Sequence, residues 1–184
     1  MRYIIFILIF FYPINIFASS KELIKNKLNE TDNISFKFIQ KIGKKTEKGD
    51  CIIFYPKKIL CKYDDIYNKI LVSNGRSLVI NSKKINNYLR YQLKDTPLDL
   101  ILDKKFLLNK LDNIEIIQEN DETFSFEIIH NNNLLNIFFD KDSYDIKGWT
   151  TTDVYLNTVE TKLLDIETNK MIDKKLFRVQ NYIN

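Results

Sequence analysis

The sequence predicts a mainly β fold, an antiparallel sheet of many strands interrupted once in mid-chain by short helices, and three observations carry that reading. Apolar residues alternate with polar ones through much of the chain, as Ile34, Phe36 and Phe38 do with Ser35 and Lys37, and a period of two turns one face of a strand inward. Turn-forming residues separate these runs, Asn74-Gly75 above all, the strongest short hairpin signal. The alternation breaks at Thr96-Pro97-Leu98-Asp99, where a capping threonine, a proline at the first helical position and an acid in the first turn start a helix.

Taken in order, the chain opens with Arg2 and an apolar run from Tyr3 to Phe17 that ends in Ala18, Ser19 and Ser20. Residues 1–18 read as a secretory signal peptide rather than a membrane span. No cysteine follows the expected cleavage site, where a lipid anchor would need one, so the exported protein is expected to be soluble. Residues 19–184 then have the length of a single domain with one core. Leu23, Ile24 and Leu28 are spaced for one face of a short helix. A strand through Ile34 to Phe38 is followed by a polar loop, Lys41 to Lys48, and then by the apolar run Cys51 to Tyr55, Pro56, and a third strand over Ile59 to Tyr63. Ile70 to Val72 and Leu78 to Ile80 flank the Asn-Gly turn, and Ile85 to Leu93 returns as the next strand. After the helix at Pro97 a second, Lys105 to Leu111, is expected. Strands resume at Ile114 to Gln118, Thr123 to Ile129 and Leu134 to Asp140, with turns at Asn120-Asp121 and Asn131-Asn132-Asn133 between them, and the last strand is Thr158 to Ile166.

Charge and chemistry exclude more than they assign. The net charge of +4 is carried by lysines spread along the chain, without the clustering on one face that a nucleic-acid partner requires. Only four glycines are present and they form no phosphate loop. The single histidine, His130, closes a strand beside an Asn-rich turn, and no G-x-S-x-G elbow accompanies it. No enzyme, metal or cofactor is therefore expected. Cys51 and Cys61, in an oxidising compartment, flank a turn at Tyr55-Pro56-Lys57. If Phe54 pairs with Lys58 they face each other and a cross-strand disulfide can form; two buried free thiols are the alternative reading. The 13 Phe, 10 Tyr and 1 Trp suit a sheet whose thin helical cover leaves an apolar hollow, although core packing accounts for much of the same content.

The residues resemble the periplasmic outer-membrane lipoprotein carrier (LolA) family over about Ser35 to Arg178. Phe38-Ile39-Gln40 is similar to the family's F-x-Q strand, and the likeness continues through Gly49 to Pro56, Ile59, Tyr63, Ile70 to Gly75 and Leu78 to Ile80. Thr96-Pro97-Leu98 with Leu100 to Leu102 resembles its lid helix, and Gly148 to Asp153 with Lys175-Leu176-Phe177 resembles its C-terminal strands. The resemblance implies an incomplete, half-open antiparallel β-barrel covered by a helical lid. It also implies a monomeric periplasmic carrier, not an enzyme, that binds the acyl chains of lipoproteins. Such a carrier takes its cargo from an inner-membrane lipoprotein-releasing ABC transporter and passes it to an outer-membrane lipoprotein receptor. The receptor itself, or a periplasmic lipid- or lipoprotein-sensing domain of the same fold, is the alternative. Two departures stand out. The family usually has Arg before the proline, where it latches the lid, and here Tyr55 offers one donor and no charge. The turn after Asp153 lacks the usual Gly and has Asn157 nearby.

Alternation places Phe36 and Phe38 on one face of the first strand, Ile53 and Tyr55 on the second, and Ile59 and Tyr63 on the third. A Cys51 to Cys61 pairing puts the second and third sets on a shared face. With Leu98, Ile101 and Leu102 from the helix, these nine residues are expected to line the acyl-chain cavity.

Overall fold

The computed structural model describes residues 19–82, 84, 87–113, 118–130, 133–153 and 157–183. The expected signal peptide, Ile85 and residues 114–117 of two expected strands, and residues 131–132 of an expected turn lie outside them.

Helix α1 is Ser20–Glu30; the Ser19 hydroxyl accepts from Glu22 N at its start, and Thr31 ends it by donating to the Lys27 carbonyl at 2.7 Å. Its Ile24 and Leu28 are buried, as the spacing requires. The strands are β1 Asn33–Ile42, β2 Lys45–Phe54, β3 Lys58–Tyr63, β4 Lys69–Asn74, β5 Ser77–Ser82, β6 Asn87–Gln92, β7 Gln118–Glu119, β8 Thr123–His130, β9 Asn133–Asp140, β10 Ile146–Thr152 and β11 Thr158–Thr168. Helices α2, Leu98–Leu102, and α3, Lys104–Asn113, separate β6 from β7. All described strand pairs are antiparallel and build one sheet in the order β6-β5-β4-β3-β2-β1-β11-β10-β9-β8-β7. The chain thus runs outward from β1 to β6, crosses through the helices, and runs back from β7 to β11, which pairs with β1. Among the described residues the two ends of the sheet, β6 and β7, do not pair, so the sheet they form is not closed.

Each face of the sheet has its own cover. Ile34, Phe36, Phe38, Ile53, Ile59 and Leu163 join Ile24 and Leu28 of α1, Leu100, Ile101 and Leu102 of α2, and Leu107 and Leu111 of α3 in one buried cluster. On the opposite face Leu60, Ile70, Val72 and Val79 lie under Phe177 and Val179.

Two expectations are corrected. Lys41 to Lys48 is not a loop: β1 and β2 continue until Ile42 pairs with Lys45, leaving a turn at Gly43 and Lys44 with Gly43 at φ 56. Polar residues can occupy this extension because β1 pairs with Lys45 to Lys48 along its length, and its one buried acid, Glu47, meets two lysines. Lys175-Leu176-Phe177 is not a strand but part of a 3₁₀ turn, Lys174–Phe177, capped by Asp173, which accepts from Lys175 N. Phe177 is 1% exposed and lies 5.9 Å from the Phe54 ring, so burying one aromatic residue on the sheet outweighs extending it. The Asn-Gly hairpin forms, with the loop at Gly75 and Arg76; Gly75 has φ 97, and the Asn74 side chain accepts from Arg76 N and Ser77 N.

Candidate functional site

The register builds the site. Phe36 pairs with Cys51, Cys51 with Cys61, Cys61 with Leu71, and Leu71 with Ile80, which puts one row of side chains across five strands on the helix side of the sheet. Cys51 and Cys61 are joined as a disulfide with their Cα atoms 4.1 Å apart. This row, with Trp149 from β10 and with Pro97 and Leu98 at the start of α2, lines a cavity of about 290 Å³. Trp149 meets Phe36 edge-on at 6.3 Å, and Phe38 meets Tyr63 edge-on at 5.0 Å.

Of the nine residues expected to line a cavity, Phe36, Phe38, Ile59, Tyr63 and Leu98 do so. Ile53, Tyr55, Ile101 and Leu102 are instead packed in the core beside it, at 5% exposure or less. Tyr55 is a special case: its hydroxyl is buried without a hydrogen-bond partner among the described residues, and burial pushes the phenol's pKa up. Leu71, Ile80, Trp149, Gln40 and Thr161 also border the cavity and were not expected there. The first two follow from carrying the Cys51–Cys61 row two strands further. Trp149 and Thr161 come from strands more than a hundred residues from β1 in the sequence, and no local pattern places them.

Toward the Gly43-Lys44 turn the lining becomes polar. Gln40 pairs across the strands with Glu47 on one side and Thr161 on the other, and its amide donates to the Thr161 hydroxyl at 2.9 Å. The Glu47 carboxylate is buried and meets Lys45 at 2.6 Å and Lys69 at 2.5 Å. Burial alone would raise its pKa, but the hydrogen bonds from both lysines outweigh burial and hold it below the usual carboxylate range. The Lys69 ammonium also lies 3.8 Å from the centre of the Tyr63 ring, an attractive cation–π arrangement.

A second polar cluster ties α2 to the sheet. Lys57, with φ 63 in the turn between β2 and β3, donates its backbone N–H to the Leu102 carbonyl at 2.8 Å. Its ammonium reaches Asp99 at 3.0 Å and Asp103 at 3.1 Å. Burial works against this ammonium, yet the two carboxylates outweigh it and raise its pKa. The positive charge facing α2 therefore comes from two residues beyond Tyr55. His130, at the end of β8, is half-buried with its ring against Phe106 at 5.1 Å, away from the cavity lining.

Residues 29–180 match the family model of the outer membrane lipoprotein carrier protein LolA. The chain belongs to the LolA family. Among solved structures, an uncharacterized conserved protein from Thermus thermophilus aligns with a TM-score of 0.56 at 6% identity, over 88% of this chain and 94% of that one. A domain from Vibrio parahaemolyticus assigned to outer-membrane lipoprotein sorting aligns with 0.52 at 9% identity, over 89% and 98%. MucB aligns with 0.50 at 11% identity, over 88% of this chain but 63% of its own. At these identities the likenesses show a shared LolA-type fold. No curated protein matches the sequence.

Proposed function

We propose that this LolA-family chain is a non-catalytic periplasmic carrier that holds the acyl chains of lipoproteins in the cavity beneath α2. It takes lipoproteins from an inner-membrane ABC transporter and gives them up to an outer-membrane receptor, with α2 serving as a lid clasped by Lys57. The observation that carries the reading is the cavity of about 290 Å³ floored by aromatic and aliphatic side chains. At the roughly 30 Å³ that a water-sized group occupies, it holds about ten methylene units. Sheltering about ten methylenes at about 0.8 kcal/mol each is worth about 8 kcal/mol, which a chain crossing an aqueous space would otherwise forgo.

The test compares Leu98→Glu with Leu102→Glu. Leu98 is half-buried and lines the cavity, whereas Leu102 is fully buried in the core. Leu98→Glu should unfold at nearly the parent temperature yet lose binding of an uncharged fluorescent naphthylamine probe. Leu102→Glu should lose the folded state. A folded Leu98→Glu protein that binds the probe as well as the parent contradicts the proposal.

A further inference from the structure

The row of side chains that crosses the sheet continues past the cavity. Ile80 pairs with Leu89 of β6, so the row ends on an edge strand, where Leu89 is 52% exposed. Every residue of β6 is exposed, Tyr88 and Tyr91 among them. The strand pairs with β5 from Asn87 to Gln92 without a register shift, contains no proline, and carries Arg90 as its one charge. A long, apolar edge without bulge, proline or inward charge is a template for a further strand. The other described edge differs: β7 has two residues, one of them Glu119.

The register also fixes which backbone groups of β6 are free. Cys51 and Cys61, with Cα atoms 4.1 Å apart, form the narrow kind of antiparallel pair, whose N–H and C=O groups point away from each other. Followed along the row, Cys61 therefore exchanges backbone hydrogen bonds with Leu71, and Ile80 with Leu89. Leu93 N donates to the Arg76 carbonyl at 2.8 Å in the same phase. The N–H and C=O groups of Tyr88 and Arg90, offset by one residue from Leu89, point outward from the edge.

We propose that β6 pairs with β6 of a second copy of this chain, antiparallel about a two-fold axis at Leu89, in a weak dimer with one continuous sheet. It goes beyond the carrier function, does not depend on it, and departs from the monomer that the family resemblance implies. A two-fold axis perpendicular to the sheet keeps each face continuous, so it must pass beside a residue that meets its own copy. Centred at Arg90, it would pair Tyr88 through Gln92 and set two guanidinium groups directly opposite each other, which is destabilising. Centred at Leu89, it pairs Asn87 through Tyr91 and opposes no like charges. Leu89 then meets Leu89 in a narrow pair, each Arg90 lies beside a Tyr88 ring as a cation–π partner, and the outward backbone groups of Tyr88 and Arg90 bond to one another. The same patch serves both copies, so the contact closes at a dimer. One edge strand buries less than a standard interface, so the dimer is weak and dependent on concentration. The apolar row that floors one cavity then runs through the Leu89 pair into the floor of the other.

The experiment is sedimentation velocity of the purified protein at concentrations up to the millimolar range, where the parent should show a dimer that grows with concentration. Leu89→Lys opposes two ammonium groups at the axis and should stay monomeric, melting close to the parent because the residue is exposed. Arg90→Pro removes an N–H that points outward and none that faces β5, and serves as the blocking variant if Leu89→Lys does not fold. Leu89→Cys, oxidised where the parent dimerises, should become a disulfide-linked dimer roughly tenfold faster than Tyr91→Cys, with the link mapped by peptide mass. Residue 91 is comparably exposed on the same face but is displaced from its own copy by about 13 Å along the strand. A parent that stays monomeric at every concentration overturns the proposal and leaves the edge to a strand of a different protein. An undiminished dimer in a folded blocking variant, or equal cross-linking at 89 and 91, overturns it as well.

Discussion

Replacing Lys57 with Met removes a charge that holds α2 from the sheet side while leaving the backbone contact to Leu102 in place. Both residues carry a Cβ, so the positive φ at this position disfavours them alike. The ammonium lost has contacts of 3.0 and 3.1 Å to Asp99 and Asp103, in side chains 31%, 19% and 26% exposed for Lys57, Asp99 and Asp103 respectively. That shielding puts the pair above a fully exposed ion pair and below a charge-assisted bond in the interior, at about 1 to 2 kcal/mol. Because α2 has only five residues, the loss should appear as local opening rather than global unfolding. Its open population should rise about five- to thirtyfold. Hydrogen exchange followed by mass spectrometry reads this directly, as faster exchange in peptides covering 97–103 with little change in those covering β1. Lys57→Arg, which keeps the charge, and Lys62→Met, an exposed change on β3, should leave the α2 peptides as in the parent. Unchanged exchange at 97–103 in Lys57→Met, or an equal acceleration everywhere, would refute the reasoning.

Gly49→Ala should be strongly destabilising, since a Cβ there would stand 2.0 Å from the Lys62 carbonyl oxygen. A cost at the upper end of about 1–3 kcal/mol lowers the melting temperature by roughly 5 to 10 °C, and a variant that melts with the parent would be inconsistent with the register. The Asp140 carboxyl has its pKa lowered to about 2: burial pushes it up, but the backbone N–H groups of Ser143 and Asp142 and the Lys147 ammonium together outweigh burial. Its contribution to stability is therefore present above the ordinary value of 3.8 and is lost as pH falls toward 2. Asp140→Asn should melt below the parent at pH 7, and the difference should shrink between pH 4 and pH 2; a difference independent of pH would contradict this. Purified oxidised protein should show no reactive thiol in denaturant until a reductant is added, after which both Cys51 and Cys61 should label, and equal labelling before and after reduction would reject the bridge.

Local chemistry made parts of this fold legible. The Asn74-Gly75 hairpin depends on two neighbouring residues and their turn preferences. The pairing of Cys51 with Cys61 follows from a short turn at Pro56, so its register could be counted along the sequence. The spacing of Ile24 and Leu28, and the capping signals before Leu98, likewise belong to single elements. What escaped depends on partners far along the chain. Lys41 to Lys48 reads as a polar loop because Glu47 becomes tolerable inside only when Lys45 and Lys69 converge on it. Trp149 and Thr161 border the cavity because β11 closes against β1, a pairing between the two ends of the fold. Lys57 meets Asp99 and Asp103 across more than forty residues, so alternation alone could not separate Leu98, which lines the cavity, from Ile101 and Leu102, which fill the core.

The proposal that this chain carries acyl groups is tested most directly by native mass spectrometry of the protein purified from an envelope fraction without delipidation. Adducts with the mass of an acylated lipoprotein or acyl lipid, lost from Leu98→Glu prepared in the same way, are predicted. A homogeneous apo mass for the parent, even after incubation with a diacylated lipopeptide, would contradict a carrier.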